Sequence, residues 1–138
     1  MDYLLFVVFP YTSLAIFLIG SIYRYKNRAF SVSSLSSQFL EGKKLFLGSQ
    51  LFHWGLLILF FGHLIAFLFP ASVLLWTGQP VRLLILEITA FVFGLSAFFG
   101  LMLLIYRRLT DRRVQMVINK MDFVVYIVLL VQIISGLV

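Results

Sequence analysis

The chain contains no cysteine among its 138 residues. This absence excludes disulfide bonds, thiolate metal sites, cysteine-ligated iron–sulfur clusters and a haem attached covalently through a C-x-x-C-H motif. Any metal or cofactor must therefore be held by other side chains. Histidine is scarce as well, because only His53 and His63 occur. These two residues are the first candidates for ligands.

Charged residues are also rare, at 12% of the chain, against about 25% in soluble domains. Hydrophobic residues make up 62%, and the mean hydropathy is +1.08. Almost no charge is found in four runs, at 3–23, 45–69, 83–106 and 123–138. The first three reach the ~20 residues that a helix needs to cross a hydrocarbon core of about 30 Å. The composition predicts an all-α, polytopic membrane helical bundle with four transmembrane helices.

The two ends of the chain carry further expectations. The first run follows Met1 and Asp2 rather than a basic segment and lacks an A-x-A-like cleavage site, so we expect a membrane span and not a signal peptide. The fourth run reaches Val138 without a polar flank or an anchoring Lys, Arg, Trp or Tyr. We therefore expect residues 1–138 to form one transmembrane domain that is incomplete at its C-terminus, with a naturally short variant as the alternative.

The net charge of +6 is distributed as expected for a membrane protein rather than a nucleic-acid-binding protein. Of the eleven Lys and Arg residues, five lie in the loop 24–44 and five in the loop 107–120, and Arg82 is the exception. By the positive-inside rule, both basic loops are cytoplasmic. The N-terminus and the loop 70–82 are then outside, and the second run passes outward. We expect a multi-pass protein of the cell (inner) membrane, in contact with lipid and not with nucleic acid.

Glycine, proline and serine mark the connections. The stretch "SVSSLSSQFLEGKK" predicts a connector with a short interfacial helix. After Pro70, the stretch "PASVLLWTGQP" predicts an apolar outside loop, with Trp76 at the depth of the aromatic belt. In the third run, small residues recur at spacings that let another helix or a flat cofactor approach closely: Ala90, Gly94 and Ala97, and also Ser96 and Gly100.

Both histidines lie in one uncharged stretch, "SQLFHWGLLILFFGHLIAFLFP", ten residues apart. Ten residues of helix rise about 15 Å and leave the two side chains about 80° apart. They cannot share one metal, and a His-x-x-x-His zinc site is excluded. Each can instead serve a separate site, because neutral imidazole is a common axial ligand of haem iron. Core histidines bonded to a neighbouring helix and a proton relay remain open as alternatives.

Two glycines adjoin this pair. Gly55 follows His53 by two residues, and Gly62 directly precedes His63. A missing side chain at each position leaves room for the edge of a porphyrin, so we expect both glycines to be cofactor-binding residues. Four nearby aromatic residues would pack on such a ring: Phe52, Trp54, Phe60 and Phe61. Aromatic residues of membrane helices also commonly face lipid or other helices.

Together these residues make the chain resemble the gamma subunit of respiratory nitrate reductase, a membrane cytochrome b. The resemblance covers essentially the whole chain, and its most specific part is the motif L-F-H-x-G-x-x-x-x-F-x-G-H. It implies five transmembrane helices and two non-covalent b haems, each held by one histidine of helix two and one of helix five. His53 would bind the haem nearer the cytoplasm, and His63 the haem near the quinol site.

The resemblance also implies a function and partners. The subunit would oxidise quinol near the outer face and pass electrons through the two haems to an iron–sulfur beta subunit. Nitrate would be reduced on a molybdenum-containing alpha subunit, so no catalytic residue is expected here. No histidine follows His63, and the second axial ligands are expected outside this chain segment. The alternatives are a cytochrome b of a sulfur or heterodisulfide type reductase and a cofactor-free structural membrane anchor.

Two charged residues of the third predicted helix are candidates for binding quinol. Arg82 begins this helix at the outer boundary, directly before the third run, where the family carries a basic residue near the quinone, and would hydrogen-bond a quinone oxygen. Glu87 lies roughly 7 Å deeper and would accept a quinol proton. The alternatives are a snorkelling interfacial anchor for Arg82 and a first-turn carboxylate favoured by the helix dipole for Glu87.

Overall fold

The computed structural model describes residues 3–28, 43–116 and 120–138, and every regular element in these ranges is helical. A π-helical turn, Leu4–Val8, precedes six α-helices: α1 (Phe9–Arg28), α2 (Lys43–Leu68), α3 (Pro70–Thr77), α4 (Pro80–Thr110), α5 (Arg112–Gln115) and α6 (Lys120–Leu137). Within these ranges, α1, α2, α4 and α6 are long and apolar enough to cross a membrane. The predicted all-α class and its four spans are confirmed. The predicted interfacial helix of the serine-rich connector falls on residues 29–42, outside the described residues.

The π-helical turn at the N-terminus has a simple cause. Pro10 has no N–H, so it cannot make the helical hydrogen bond to the residue four positions before it. The ring of Pro10 also crowds the carbonyl of that residue, and beside it the N–H of Phe9 donates to the carbonyl of Leu4, five residues back. The helix therefore continues past Pro10 with one wide turn. By contacts, α1 and the remaining helices form two separate compact units.

Two prolines define the segment between α2 and α4. A residue that precedes proline is pushed out of the helical region, and the backbone breaks at Phe69 (φ −130°, ψ 57°) and Gln79 (φ −97°, ψ 129°). Proline fits the first turn of a helix, where its missing N–H has no partner to lose. Pro70 and Pro80 accordingly start α3 and α4. The outside connection predicted after Pro70 is largely helical, because this stretch forms the eight-residue helix α3.

Close contact between α2 and α4 depends on glycine. A Cβ atom added to Gly100 would lie 2.3 Å from the backbone nitrogen of Phe52 and 2.8 Å from the carbonyl oxygen of Gly48. Any side chain at position 100 would therefore push α2 away. We call the contact formed by Gly48, Gly55, Ala97 and Gly100 the glycine seam.

One hydrogen bond crosses the glycine seam. The hydroxyl of Ser96 on α4 donates to the carbonyl of Leu51 on α2 over 3.1 Å. Such a bond is possible because the small residues bring the two backbones close together. The predicted role of Ser96 and Gly100 in close approach is confirmed, and the element that approaches is a helix.

The described core lies on both sides of α4. Its buried residues are Phe52 of α2, Ala97 and Leu101 of α4, and Ile133 of α6. Gly94 faces α6, since a Cβ atom added there would lie 2.8 Å from a terminal methyl carbon of Leu137. Helix α4 is therefore the element that joins α2 and α6.

Polar contacts attach the start of α6 to the end of α4. Arg108 forms a salt bridge with Asp122, and its guanidinium carbon lies 5.6 Å from the ring centroid of Tyr126. The neighbouring Arg107 is only 2% exposed. Basic residues also suit this position electrostatically, because the C-terminal end of a helix carries partial negative charge.

Candidate functional site

His53 is held by the turn of α2 that precedes it. Its Nδ1 atom lies 2.8 Å from the carbonyl oxygen of Ser49 and 3.1 Å from the hydroxyl oxygen of the same residue. A carbonyl oxygen only accepts hydrogen bonds, so we assign the imidazole proton to Nδ1. Nε2 then carries the free lone pair, and the exposed ring presents it away from the helix backbone.

His63 repeats this arrangement ten residues later. Its Nδ1 atom lies 2.8 Å from the carbonyl oxygen of Leu59, which again places the proton on Nδ1. Among residues 3–28, 43–116 and 120–138, neither Nε2 atom has a hydrogen-bond partner. The alternative of core histidines bonded to a neighbouring helix is not supported there, because both rings bond to their own helix.

Each of these two side chains has the chemistry of one axial ligand of a haem iron. The described part of the chain contains no group of three or more His, Cys, Asp or Glu side chains that would hold a bare metal ion. Haem iron needs only axial ligands from the protein, because the porphyrin supplies the other bonds. An axial histidine binds through one nitrogen while its other N–H donates to an acceptor that fixes the tautomer. His53 and His63 each have this form, and each would hold one haem.

An open cavity of about 800 Å³ lies beside His63, between α2, α3 and α4. Its lining is mostly apolar and includes Gly62, Trp76 and Ala90. A Cβ atom added to Gly62 would meet nothing within 4 Å among the described residues. Gly62 therefore borders open space, as its predicted place beside a cofactor requires.

Gly55 has a different environment from Gly62. A Cβ atom added to Gly55 would lie 2.7 Å from the carbonyl oxygen of Phe93 and 2.8 Å from the backbone nitrogen of Ala97. The space at Gly55 is thus taken by α4 and belongs to the glycine seam. Its predicted contact with a cofactor stays a prediction, whereas its contact with α4 is observed.

The two glycines give a matched pair of variants. Gly55→Ala is expected to destabilise the protein by about 1–3 kcal/mol, because the added methyl group overlaps the backbone of α4. In haem-free protein, Gly62→Ala is expected to be neutral or to stabilise by up to about 1 kcal/mol, since alanine favours the helix and the position is open. Thermal unfolding followed by circular dichroism in detergent measures both. Equal destabilisation by the two substitutions would contradict the described packing.

Arg82 lies close to the cavity, whereas Glu87 does not line it. The guanidinium carbon of Arg82 lies 5.9 Å from the ring centroid of Trp76, one of the lining residues. Glu87 is exposed on α4. The helix-dipole alternative for Glu87 was wrong, because α4 begins at Pro80 and its first turn contains no acidic residue. The quinol-binding role of both residues stays a prediction.

Sequence reasoning missed Ser49 and the contribution of α3 to the cavity. Ser49 is four residues before His53, a spacing that places the two side chains on one face of a helix, so that spacing was the available signal. For α3, the available signal was Pro70 followed by seven residues free of glycine and proline.

Comparison with known proteins decides the family. A family model described as nitrate reductase gamma subunit matches residues 2–138. The chain belongs to the nitrate reductase gamma subunit family. Together with the four span-length helices within the described residues, family membership identifies a membrane protein, and the resemblance drawn from the histidine motif is confirmed.

Individual relatives agree with this family. The nitrate reductase gamma chain of Bacillus subtilis is 38% identical over 135 residues, which cover 96% of this chain and 60% of the relative. The respiratory nitrate reductase 2 gamma chain of Escherichia coli is 31% identical over 131 residues, which cover 94% of this chain and 58% of the relative. The nitrate reductase-like protein NarX of Mycobacterium tuberculosis is 34% identical over 145 residues, which cover 99% of this chain and 21% of that protein. The chain thus spans about three fifths of the length of these gamma chains.

Proposed function

We propose that this chain is the membrane cytochrome b subunit of a quinol:nitrate oxidoreductase. It would take electrons from quinol at the His63 end of α2 and deliver them at the His53 end to an iron–sulfur beta subunit. Nitrate would be reduced on a molybdenum-containing alpha subunit. When bound, two b-type haems supply the one-electron chemistry of this transfer.

The observation that carries the proposal is the matched geometry of the two histidines. Each Nδ1 atom lies 2.8 Å from the carbonyl oxygen four residues earlier. Each Nε2 atom is thereby left as a ligand nitrogen, and the rings are about 15 Å apart along the helix axis. The second axial ligand of each site would come from outside these 138 residues, since the chain has no other histidine.

The cavity beside His63 is our proposed entry point for quinol. Its apolar lining suits an isoprenoid quinol, and Arg82 lies next to Trp76 at its border. In this proposal Arg82 donates a hydrogen bond to a quinone oxygen, and Glu87 accepts a proton on its way to the outer face. The charge distribution supports the direction, because ten of the eleven basic residues lie in the loops assigned to the cytoplasm. Protons released outside and electrons passed inward would contribute to the proton-motive force.

A difference spectrum tests the proposal. Membranes that contain the protein are reduced with a quinol analogue and compared with oxidised membranes, and two b-type haems are expected. The double variant His53→Ala/His63→Ala is the control, and it should lose both signals. A wild-type protein free of b-type haem would contradict the proposal and favour a structural membrane anchor.

The subunits that copurify with the chain show which terminal electron acceptor the complex reduces. Capture of iron–sulfur and molybdenum-containing subunits with nitrate-reducing activity is the expected result. Capture of a sulfur or heterodisulfide reductase instead would keep the cytochrome b assignment and replace the terminal acceptor.

A further inference from the structure

The two histidines make the same kind of hydrogen bond to the backbone and differ in a second contact. Both Nδ1 atoms lie 2.8 Å from a backbone carbonyl oxygen. Within the described parts of the chain, only the Nδ1 atom of His53 also has a side-chain oxygen within hydrogen-bond distance, the hydroxyl of Ser49 at 3.1 Å. At the corresponding position before His63 stands Leu59, whose side chain has no polar atom. The two candidate ligands are therefore supported unequally.

The backbone carbonyl of Ser49 decides which atom donates in the contact between the Ser49 hydroxyl and Nδ1 of His53. Because the carbonyl oxygen at 2.8 Å requires the proton to be on Nδ1, the hydroxyl oxygen acts as a second acceptor of the same proton. Ser49 is half-buried on α2. Two acceptors on one residue restrict rotation of the imidazole about its Cβ–Cγ bond more than a single acceptor does. They also draw the Nδ1 proton away from the ring, which makes Nε2 a stronger electron donor.

We propose that Ser49 is a positioning residue for His53, one that fixes the ring and strengthens Nε2 as a ligand. The inference rests on the proposed function, because it assigns Nε2 of His53 to a haem iron. A stronger donor nitrogen favours the oxidised metal, so the hydroxyl of Ser49 lowers the reduction potential of the site at His53. The position four residues before His63 has no such hydroxyl. The serine therefore sets the reduction potential of the His53 site independently of the His63 site.

Removal of the hydroxyl provides the test. In native membranes, Ser49→Ala is expected to raise the potential of the His53 site, changing its redox equilibrium constant about threefold. For a one-electron couple at 59 mV per tenfold this is a shift of about 28 mV. A redox titration followed by the b-type absorbance measures it, and the electron paramagnetic resonance g-values of that site should shift because they depend on ring orientation. The His53→Ala variant identifies which signal belongs to this site.

Three further variants separate positioning from general packing. Ser49→Thr keeps a hydroxyl at the same place and should restore the wild-type potential. Ser96→Ala removes a hydroxyl whose hydrogen bond to the carbonyl of Leu51 crosses the glycine seam, and it should leave both potentials unchanged. Leu59→Ser supplies the missing acceptor near His63 and should lower the potential of that site alone.

The outcomes distinguish this inference from the function on which it rests. Two haems with unchanged potential and g-values in Ser49→Ala would overturn the role of Ser49 and leave the proposed function intact. An equal shift in Ser96→Ala, or an equal shift of both haems, would also overturn it, because the effect would then arise from packing. Absence of haem from the unmodified protein would overturn the proposed function itself.

Discussion

Replacement of His63 by alanine is expected to remove one of the two proposed haems and to lower the rate of quinol oxidation at least ~100-fold. Loss of a partner that only orients a ligand already weakens metal sites by about 10–100-fold, so loss of the ligand nitrogen itself should have a larger effect. The haem at His53 should remain in part, because the two rings are about 15 Å apart along α2. Spectroscopic haem content and quinol oxidation in membranes measure the two effects.

The His63→Met variant is the matched control for this experiment. Methionine also serves as an axial ligand and raises the potential relative to histidine, so His63→Met should recover part of the haem with an altered midpoint. Retention of both haems in His63→Ala would show that His63 is not a ligand. Equal loss of haem from the alanine and methionine variants would point to a packing defect.

The second large effect is expected at the glycine seam. Gly100→Leu places a branched side chain where even a Cβ atom would lie 2.3 Å from the backbone of α2. A backbone atom cannot move aside as a side chain does, so the helices must separate. We expect destabilisation at or above the upper end of the ~1–3 kcal/mol typical of overpacked cores. The measurement is the yield of monodisperse protein after extraction in mild detergent.

Gly136→Leu is the control for the seam, because a Cβ atom at Gly136 would meet nothing within 4 Å among the described residues. This variant makes the same glycine-to-leucine change without the overlap. It should be extracted at close to the wild-type yield. If both variants are extracted equally well, the contact between α2 and α4 is not as close as described.

The spans were predictable from sequence because a membrane imposes one strong requirement, about 20 apolar residues for each helix. The helix α3 was not predicted, since Pro70, Gly78 and Pro80 are all residues typical of turns. A proline belongs to a turn or starts a helix, depending on whether the residues after it are helical. After Pro70, seven residues without glycine or proline do so.

The geometry of the candidate site was foreseeable only in part. The separation of His53 and His63 follows from helix geometry alone, so it was foreseeable that they would not share one metal. The environments of Gly55 and Gly62 were not, because sequence does not show which face of α2 meets α4. Both glycines adjoin a histidine in sequence, yet one contacts a backbone and the other borders open space.

The antiparallel pair α2 and α4 touches at the glycine seam and diverges toward His63, where the cavity opens. Gly55 precedes Gly62 by seven residues, or about 11 Å along the helix. Because helices are stiff, a displacement of α4 against α2 at the seam would also change the distance between the two helices farther along. Residues of the glycine seam, which do not line the cavity, would therefore influence its width.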